Sequence, residues 1–135
     1  HQQRRYGTMD PDFLMTLFDP LTTNAVESYT EFSFWALWGA PLLVATDLRD
    51  LSDAKRAILA NEEVIAVDQD PAFGAARRLA ADAAGQVWAR PLADGGVAVI
   101  LYNDHAKGAN STLSVDWSKQ DAGGFAWPWS GSFWR

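Results

Sequence analysis

The sequence predicts a parallel α/β unit joined to an antiparallel β region. Three observations carry that prediction: a helical repeat at Ala25, Tyr29, Phe32 and Ala36, an unbroken apolar run at Leu42-Leu43-Val44-Ala45, and alternating apolar patterns beyond residue 85. A continuous apolar run of this length is the mark of a strand covered on both faces in a parallel sheet. Helix, buried strand and helix in that order build a parallel unit.

Taken from the amino end, residues 1 to 8 are polar and basic without periodicity, and read as a frayed terminus. In Asp10-Pro11-Asp12, Pro11 disfavours a helical conformation at Asp10. An extended segment would aim both carboxylates to one side, roughly 6–7 Å apart. A Pro-containing turn is the alternative, because Asp favours turns for its own reasons. Met15 to Leu21 reads as a loop with a turn signal at Asp19-Pro20. Thr22-Thr23-Asn24 offers N-cap candidates for the first helix, and Glu27 in its first turn suits the helix dipole.

The end of that helix, Phe34 to Trp38, is apolar at nearly every position and should be buried on most sides. Gly39 and Pro41 stop it. At the carboxyl end of the apolar run the chain turns polar as Thr46-Asp47, the edge where α/β folds place chemistry. Ser52 reads as an N-cap, Asp53 to Ala60 as a second helix with Ile58 and Leu59 inward, and Asn61 as its C-cap. Val64-Ile65-Ala66-Val67 fits a helical turn or a short strand, and Asp68-Gln69-Asp70-Pro71 closes the unit.

The pattern changes between residues 71 and 78, which divides the chain into domains 1–75 and 76–135. Arg77-Arg78 reads as a solvated loop. Gln86 to Leu92 and Val97 to Tyr102 alternate as strands around an Asp94-Gly95-Gly96 hairpin turn, and Leu113, Val115 and Trp117 suggest a third strand. The tail from Gly123 to Arg135 gathers Trp127, Trp129, Phe133 and Trp134, which could stack on sugar rings or form the edge of a larger core. Asn110-Ser111-Thr112 is a candidate N-glycosylation acceptor in a polar loop.

Composition removes several classes of function. A net charge of −6 argues against nucleic acid, which requires a basic face. Without cysteine there are no disulfides, thiolate zinc sites or cysteine nucleophiles. Only His1 and His105 are present, too few for a metal centre and in no Ser-His-Asp context. No apolar run approaches the ~20 residues of a membrane span. The chain begins at His1 rather than Met, so upstream residues are expected.

The motifs together resemble the α-galactosidase (melibiase) family of retaining glycoside hydrolases, which also includes α-N-acetylgalactosaminidases. The matching residues are Trp35-Ala36, Ala40-Pro41, Asp47-Leu48-Arg49, Asp68-Gln69-Asp70-Pro71 and Val87-Trp88-Ala89-Arg90-Pro91-Leu92, with Asp68 where the family has Asn. The family's Trp-Asn-Asp-Pro-Asp-Met-Leu is matched by Asp10-Pro11-Asp12 and Leu14, with Thr8-Met9 for Trp-Asn and Phe13 for Met. The resemblance implies the last two βα units of a (β/α)8 TIM barrel followed by part of an antiparallel β-sandwich. It places Asp12 and Phe13 at the galactose pocket as substrate-binding residues and makes Asp10 a carboxylate that orients its neighbours.

Retaining glycosidases need two carboxyl groups about 5–5.5 Å apart. In this family both come from earlier barrel strands, and nothing before Asp10 matches them, so no catalytic residue is assigned here. A full barrel takes ~250 residues. The expectation is therefore part of an α-galactosidase that lacks nucleophile and acid/base, with an α-galactoside as the parent's substrate. No cofactor, metal, nucleic acid or membrane is expected. The protein partner would be the N-terminal barrel half or a second copy of the chain. A non-catalytic sugar-binding or structural fragment is the alternative, and the family suggests a secreted or lysosomal setting.

Overall fold

The computed structural model describes residues 10–18, 24–72, 76–83, 85–105 and 110–115. The basic amino terminus, Asp19-Pro20, Trp117 and the Trp-rich tail lie outside those residues.

Helix α1, Ala25–Trp38, opens with a complete capping box. The Asn24 side chain accepts the Glu27 amide at 2.9 Å, and the Glu27 carboxylate accepts the Asn24 amide at 3.1 Å. Gly39 ends the helix in the left-handed conformation at φ 62°, with its N–H donating to Ala36 O. The buried face is Ser28, Phe32, Phe34, Ala36 and Leu37. Ala25 and Tyr29, expected inward from their spacing, are exposed. The inward position goes to Ser28, whose hydroxyl accepts the Leu17 amide at 3.0 Å.

Leu14 lies parallel to Val44 in a single bridge, made by Leu14 N to Leu43 O at 2.7 Å and Ala45 N to Leu14 O at 3.0 Å. The run at Leu42 to Ala45 was expected as a full strand covered on both faces, but Leu43 is 47% exposed and pairing stops at this bridge. A parallel strand needs neighbours on each side to extend its ladder. Leu14, Phe32 and Ile58 form the core here, joined by Leu17, Trp35, Leu42, Val44, Leu59, Val64 and Ile65.

A single 3-10 turn, Leu48–Asp50, follows, capped by the Asp47 carboxylate. Ser52 caps α2, Asp53–Leu59, as expected. Asn61 corrects the sequence reading: its side chain accepts the Val64 amide and so starts α3, Glu62–Asp68, instead of closing α2. The segment left open between helix and strand is thereby a helix, with Val64 and Ile65 turned to the core.

An antiparallel sheet follows in the order β1 (Arg77–Asp82), β2 (Gly85–Pro91) and β3 (Val97–Tyr102). β2 and β3 are the expected hairpin, with Gly95 at φ 87° and Gly96 N donating to the Asp94 carboxylate at 2.7 Å. The third strand is a correction. Residues 110–115 form no strand, and Arg77-Arg78, read as a solvated loop, starts β1 instead. Arg78 hid the strand because its side chain is exposed, with the guanidinium over the Trp88 ring 5.8 Å from the centroid. Val115 still packs against Ala89, on the sheet face away from α1.

The two parts meet at α1. Phe34 contacts Trp88 and Tyr102 edge-on at 5.7 and 5.4 Å. Arg90, 2% exposed, donates from Nη1 to Ala36 O at 3.1 Å and from Nη2 to Asp70 O at 3.3 Å. The Asp70 carboxylate in turn accepts the amides of Ala72 at 2.9 Å and Ala93 at 3.0 Å, tying the end of α3 to the β2–β3 hairpin.

Candidate functional site

The Asp10 to Phe13 segment is a turn, not the extended strand that would have set two carboxylates side by side. Asp10 accepts the Asp12 amide at 3.1 Å, an Asx contact, and the Asp12 carboxylate accepts the next amide, Phe13, at 2.9 Å. These local bonds hold Asp12 at φ 75°. Asp10, Asp12 and Phe13 are all exposed, Phe13 by 53%. Among the described residues no cation pairs with Asp10 or Asp12, and the one ion pair is Arg49 with Asp47 at 2.7 Å. The turn therefore leaves both carboxylates and the phenyl ring open to solvent.

The turn does not stand on its own. Trp35 Nε1 donates to Asp12 O at 3.2 Å, and Glu31 accepts the Met15 amide at 2.9 Å. With Ser28 on Leu17, three side chains of α1 hold the backbone from Asp12 to Leu17. Burial raises the Glu31 carboxyl above its usual range, while the Met15 amide and the nearby Thr16 hydroxyl act in the opposite direction. The sequence reading missed Glu31 and Ser28. The signal lay in two polar residues at the inward helical spacing that Phe32 and Trp35 continue.

Asp47 sits beyond Val44 on the carboxyl side of the parallel bridge, whereas Asp12 precedes Leu14 on its amino side, so the structure does not bring these two together. Asp47 is held by Arg49, which donates from its amide, Nε and Nη2 at 2.9, 3.0 and 2.7 Å. That pairing lowers the Asp47 carboxyl below its ordinary value.

An open groove of about 620 Å³ runs between α1 and the sheet, with Phe34, Trp35, Trp38, Trp88 and Tyr102 as its apolar walls and Glu31 and Gln86 among its polar ones. Asn110 is exposed in an irregular segment with Ser111 and Thr112 after it. Among the described residues no three His, Asp or Glu side chains gather where they could hold a metal ion. No described helix is long and apolar enough to cross a membrane.

Two family models match in succession. Alpha galactosidase A matches residues 6–70, and the alpha galactosidase C-terminal beta sandwich domain matches residues 82–131. An α-galactosidase of Cyamopsis tetragonoloba is 39% identical over 112 residues, which is 83% of this chain and 26% of that protein. The structure of α-galactosidase I from Mortierella vinacea superposes with TM-score 0.66 at 31% identity, over 72% of this chain and 24% of that one. A Saccharomyces cerevisiae α-galactosidase with raffinose superposes with TM-score 0.63 at 29% identity, again over 72% of this chain and 23% of that one. The chain thus spans about a quarter of the length of the relatives it matches. Barrel-end helices around a parallel bridge, followed by an antiparallel sheet, match both models in order, and the chain belongs to the α-galactosidase family.

Proposed function

We propose that this chain is part of a retaining α-galactosidase acting on terminal α-linked galactose, and that alone it lacks the nucleophile and the acid/base. The observation that carries the reading is the alignment of both halves with consecutive family segments that make up about a quarter of each relative. In this reading residues 1–75 are the last two βα units of the barrel and residues 76–135 part of the sandwich domain. Asp12 and Phe13 face the sugar and Asp10 fixes Asp12 through its amide. Raffinose in the yeast structure is a galactoside of the kind the parent would cleave. Secretion or lysosomal delivery, with a glycan on exposed Asn110, fits the same reading.

The test is hydrolysis of a chromogenic α-galactoside by the 135-residue chain, alone and mixed with the upstream barrel portion of its parent. The expected result is no turnover alone and recovered turnover on mixing. Turnover by the chain alone that disappears in Asp12→Asn would overturn the reading, because Asp10 and Asp12 would then be performing catalysis.

The alternative is a non-catalytic sugar-binding or structural fragment that needs an upstream partner chain. The single parallel bridge and the exposed Leu43 beside it favour such a partner. Saturable galactose binding without recovered turnover on mixing would select this alternative.

A further inference from the structure

The non-glycine residues with positive φ among the described ones are Asp12 at 75° and Leu17 at 44°. They lie five positions apart, at the two ends of one segment. An L-residue in that region is strained and persists where the surroundings over-determine it. Leu, with no side-chain oxygen to bond its own backbone, is a less natural occupant than Asp.

Each strained residue is gripped by α1. Trp35 Nε1 donates to the carbonyl of Asp12, and Ser28 Oγ accepts the amide of Leu17. Between them Glu31 accepts the amide of Met15. Ser28, Glu31 and Trp35 follow at spacings of three and four, so their side chains rise along one helix face. The middle of the segment is fixed from the other side, where Leu14 bonds Leu43 and Ala45. Ser28 is fully buried, which excludes water as a competing donor to its hydroxyl.

We propose that Ser28, Glu31 and Trp35 act together as a positioning ladder that sets the conformation of the Asp12–Phe13 turn, and with it the sugar-facing groups of the parent enzyme. The assignment of those groups to a sugar rests on the function proposed above. None of the three ladder residues touches the sugar in this scheme; each acts through the backbone of residues 12 to 17. Glu31 is the central rung, and its acceptor oxygen is what the ladder requires. The ladder also accounts for a carboxylate that is half-buried with no cation beside it: its other oxygen, Oε2, is buried with the Thr16 hydroxyl nearby but outside good hydrogen-bond geometry. Such a group is expensive to retain unless the bond it makes is needed.

The experiment is amide exchange and heteronuclear NMR on the 135-residue chain with Glu31→Ala, Glu31→Gln and Trp35→Phe, followed by titration with methyl α-galactoside. In Glu31→Ala the Met15 and Leu17 amides are expected to exchange about tenfold faster, the effect of losing one hydrogen bond to a charged acceptor. The Trp35 indole resonance should move as well. Glu31→Gln keeps an acceptor oxygen and should restore all three signals to near wild type. A change confined to Met15, with Leu17 and the Trp35 indole unmoved, overturns the ladder, and so does a Glu31→Gln variant that behaves like Glu31→Ala.

Trp35→Phe keeps an aromatic ring against the core while removing the donor and part of the indole's bulk. It should speed exchange at Phe13 while leaving the β2–β3 amides unchanged, which gives a reading even if Glu31→Ala fails to fold. Unchanged exchange at Phe13 overturns the role of Trp35 and with it the ladder. The sugar arm is separate. With the upstream barrel portion of the parent added, methyl α-galactoside should shift the Asp12 and Phe13 amides in the wild type and bind about tenfold more weakly to Glu31→Ala. If the sugar leaves the wild type unmoved while the contrast between Ala and Gln holds, the ladder stands and the sugar reading of Asp12 and Phe13 falls.

Discussion

Arg90 donates to the carbonyl of Ala36 across 54 positions of sequence, and it does so from inside the junction between α1 and the sheet. Its second nitrogen reaches Asp70 O, so one guanidinium fork closes the end of α1 and the end of α3 together. Burial lowers the Arg90 pKa, opposed by Asp70 and Asp68, but guanidinium stays charged at any pH a protein tolerates. Replacing Arg90 with Ala leaves the part-buried Asp70 carbonyl without this donor and the buried Ala36 carbonyl with the Gly39 N–H alone. The expected loss is about 3 kcal/mol in urea-induced unfolding. Lys has one compact donor group in place of the fork and should recover only part of that. A Lys variant as stable as wild type would show that the fork geometry is irrelevant.

Gly39 disfavours a side chain for two independent reasons. Its φ of 62° is left-handed, and a Cβ there would lie 3.1 Å from Arg90 Nη1. Gly39→Ala is expected to lower stability by about 1–2 kcal/mol from the backbone alone. Because the Cβ presses on Arg90, the effect should shrink in an Arg90→Ala background. A double-mutant cycle by thermal unfolding measures that coupling.

α1 carries both the turn at Asp12 and the junction at Ala36, so its start should matter to each. Asn24→Ala removes the side-chain acceptor of the capping box and should cost about 1 kcal/mol. Glu27→Gln keeps the reciprocal arm and should cost less than half as much. Far-UV circular dichroism through a urea titration distinguishes the two.

The helices were legible because their signals are local. Asn24 with Glu27, Gly39, and Ser52 before Asp53 each act within a few residues, and each behaves as its chemistry dictates. Asn61 was misread because the same residue type can close one helix or open the next, and which it does depends on the Val64 amide behind it. The third strand was misplaced because Arg77 and Arg78 carry charges that suit solvent, and only the Trp88 face across the sheet turns Arg78 into a strand residue. The carboxylates at Asp10 and Asp12 were found from the Pro between them, and the turn they adopt was one of the two backbones left open. Both extended and turned backbones satisfy Pro11; the local bonds of Asp10 and Asp12 select the turn, and a helix that sequence places more than twenty residues away secures it.

Asp68 stands where the family pattern has Asn, and its surroundings make the difference measurable. It is half-buried, and desolvation is the largest influence on it, raising its carboxyl above the ordinary 3.8; the Gln69 side-chain amide and the Arg90 charge offset part of that rise. Its Oδ1 is buried without a hydrogen-bond partner among the described residues. A raised folded pKa means that the folded chain holds this proton at pH values where the unfolded chain has released it. The stability contributed by Asp68 is therefore fully present below about 3.8 and is lost as pH rises through the folded value. At pH 7 the charge opposes folding. Asp68→Asn should raise the unfolding midpoint at pH 7 by roughly 1–3 °C, and the gain should fade to nothing as pH falls below about 4. Glu31, whose pKa is raised in the same direction, titrates in both chains and cancels from the comparison. A gain that persists undiminished at pH 3 would show that the Asp68→Asn variant is stabilised by the hydrogen bonds of its new side-chain amide and not by loss of the charge.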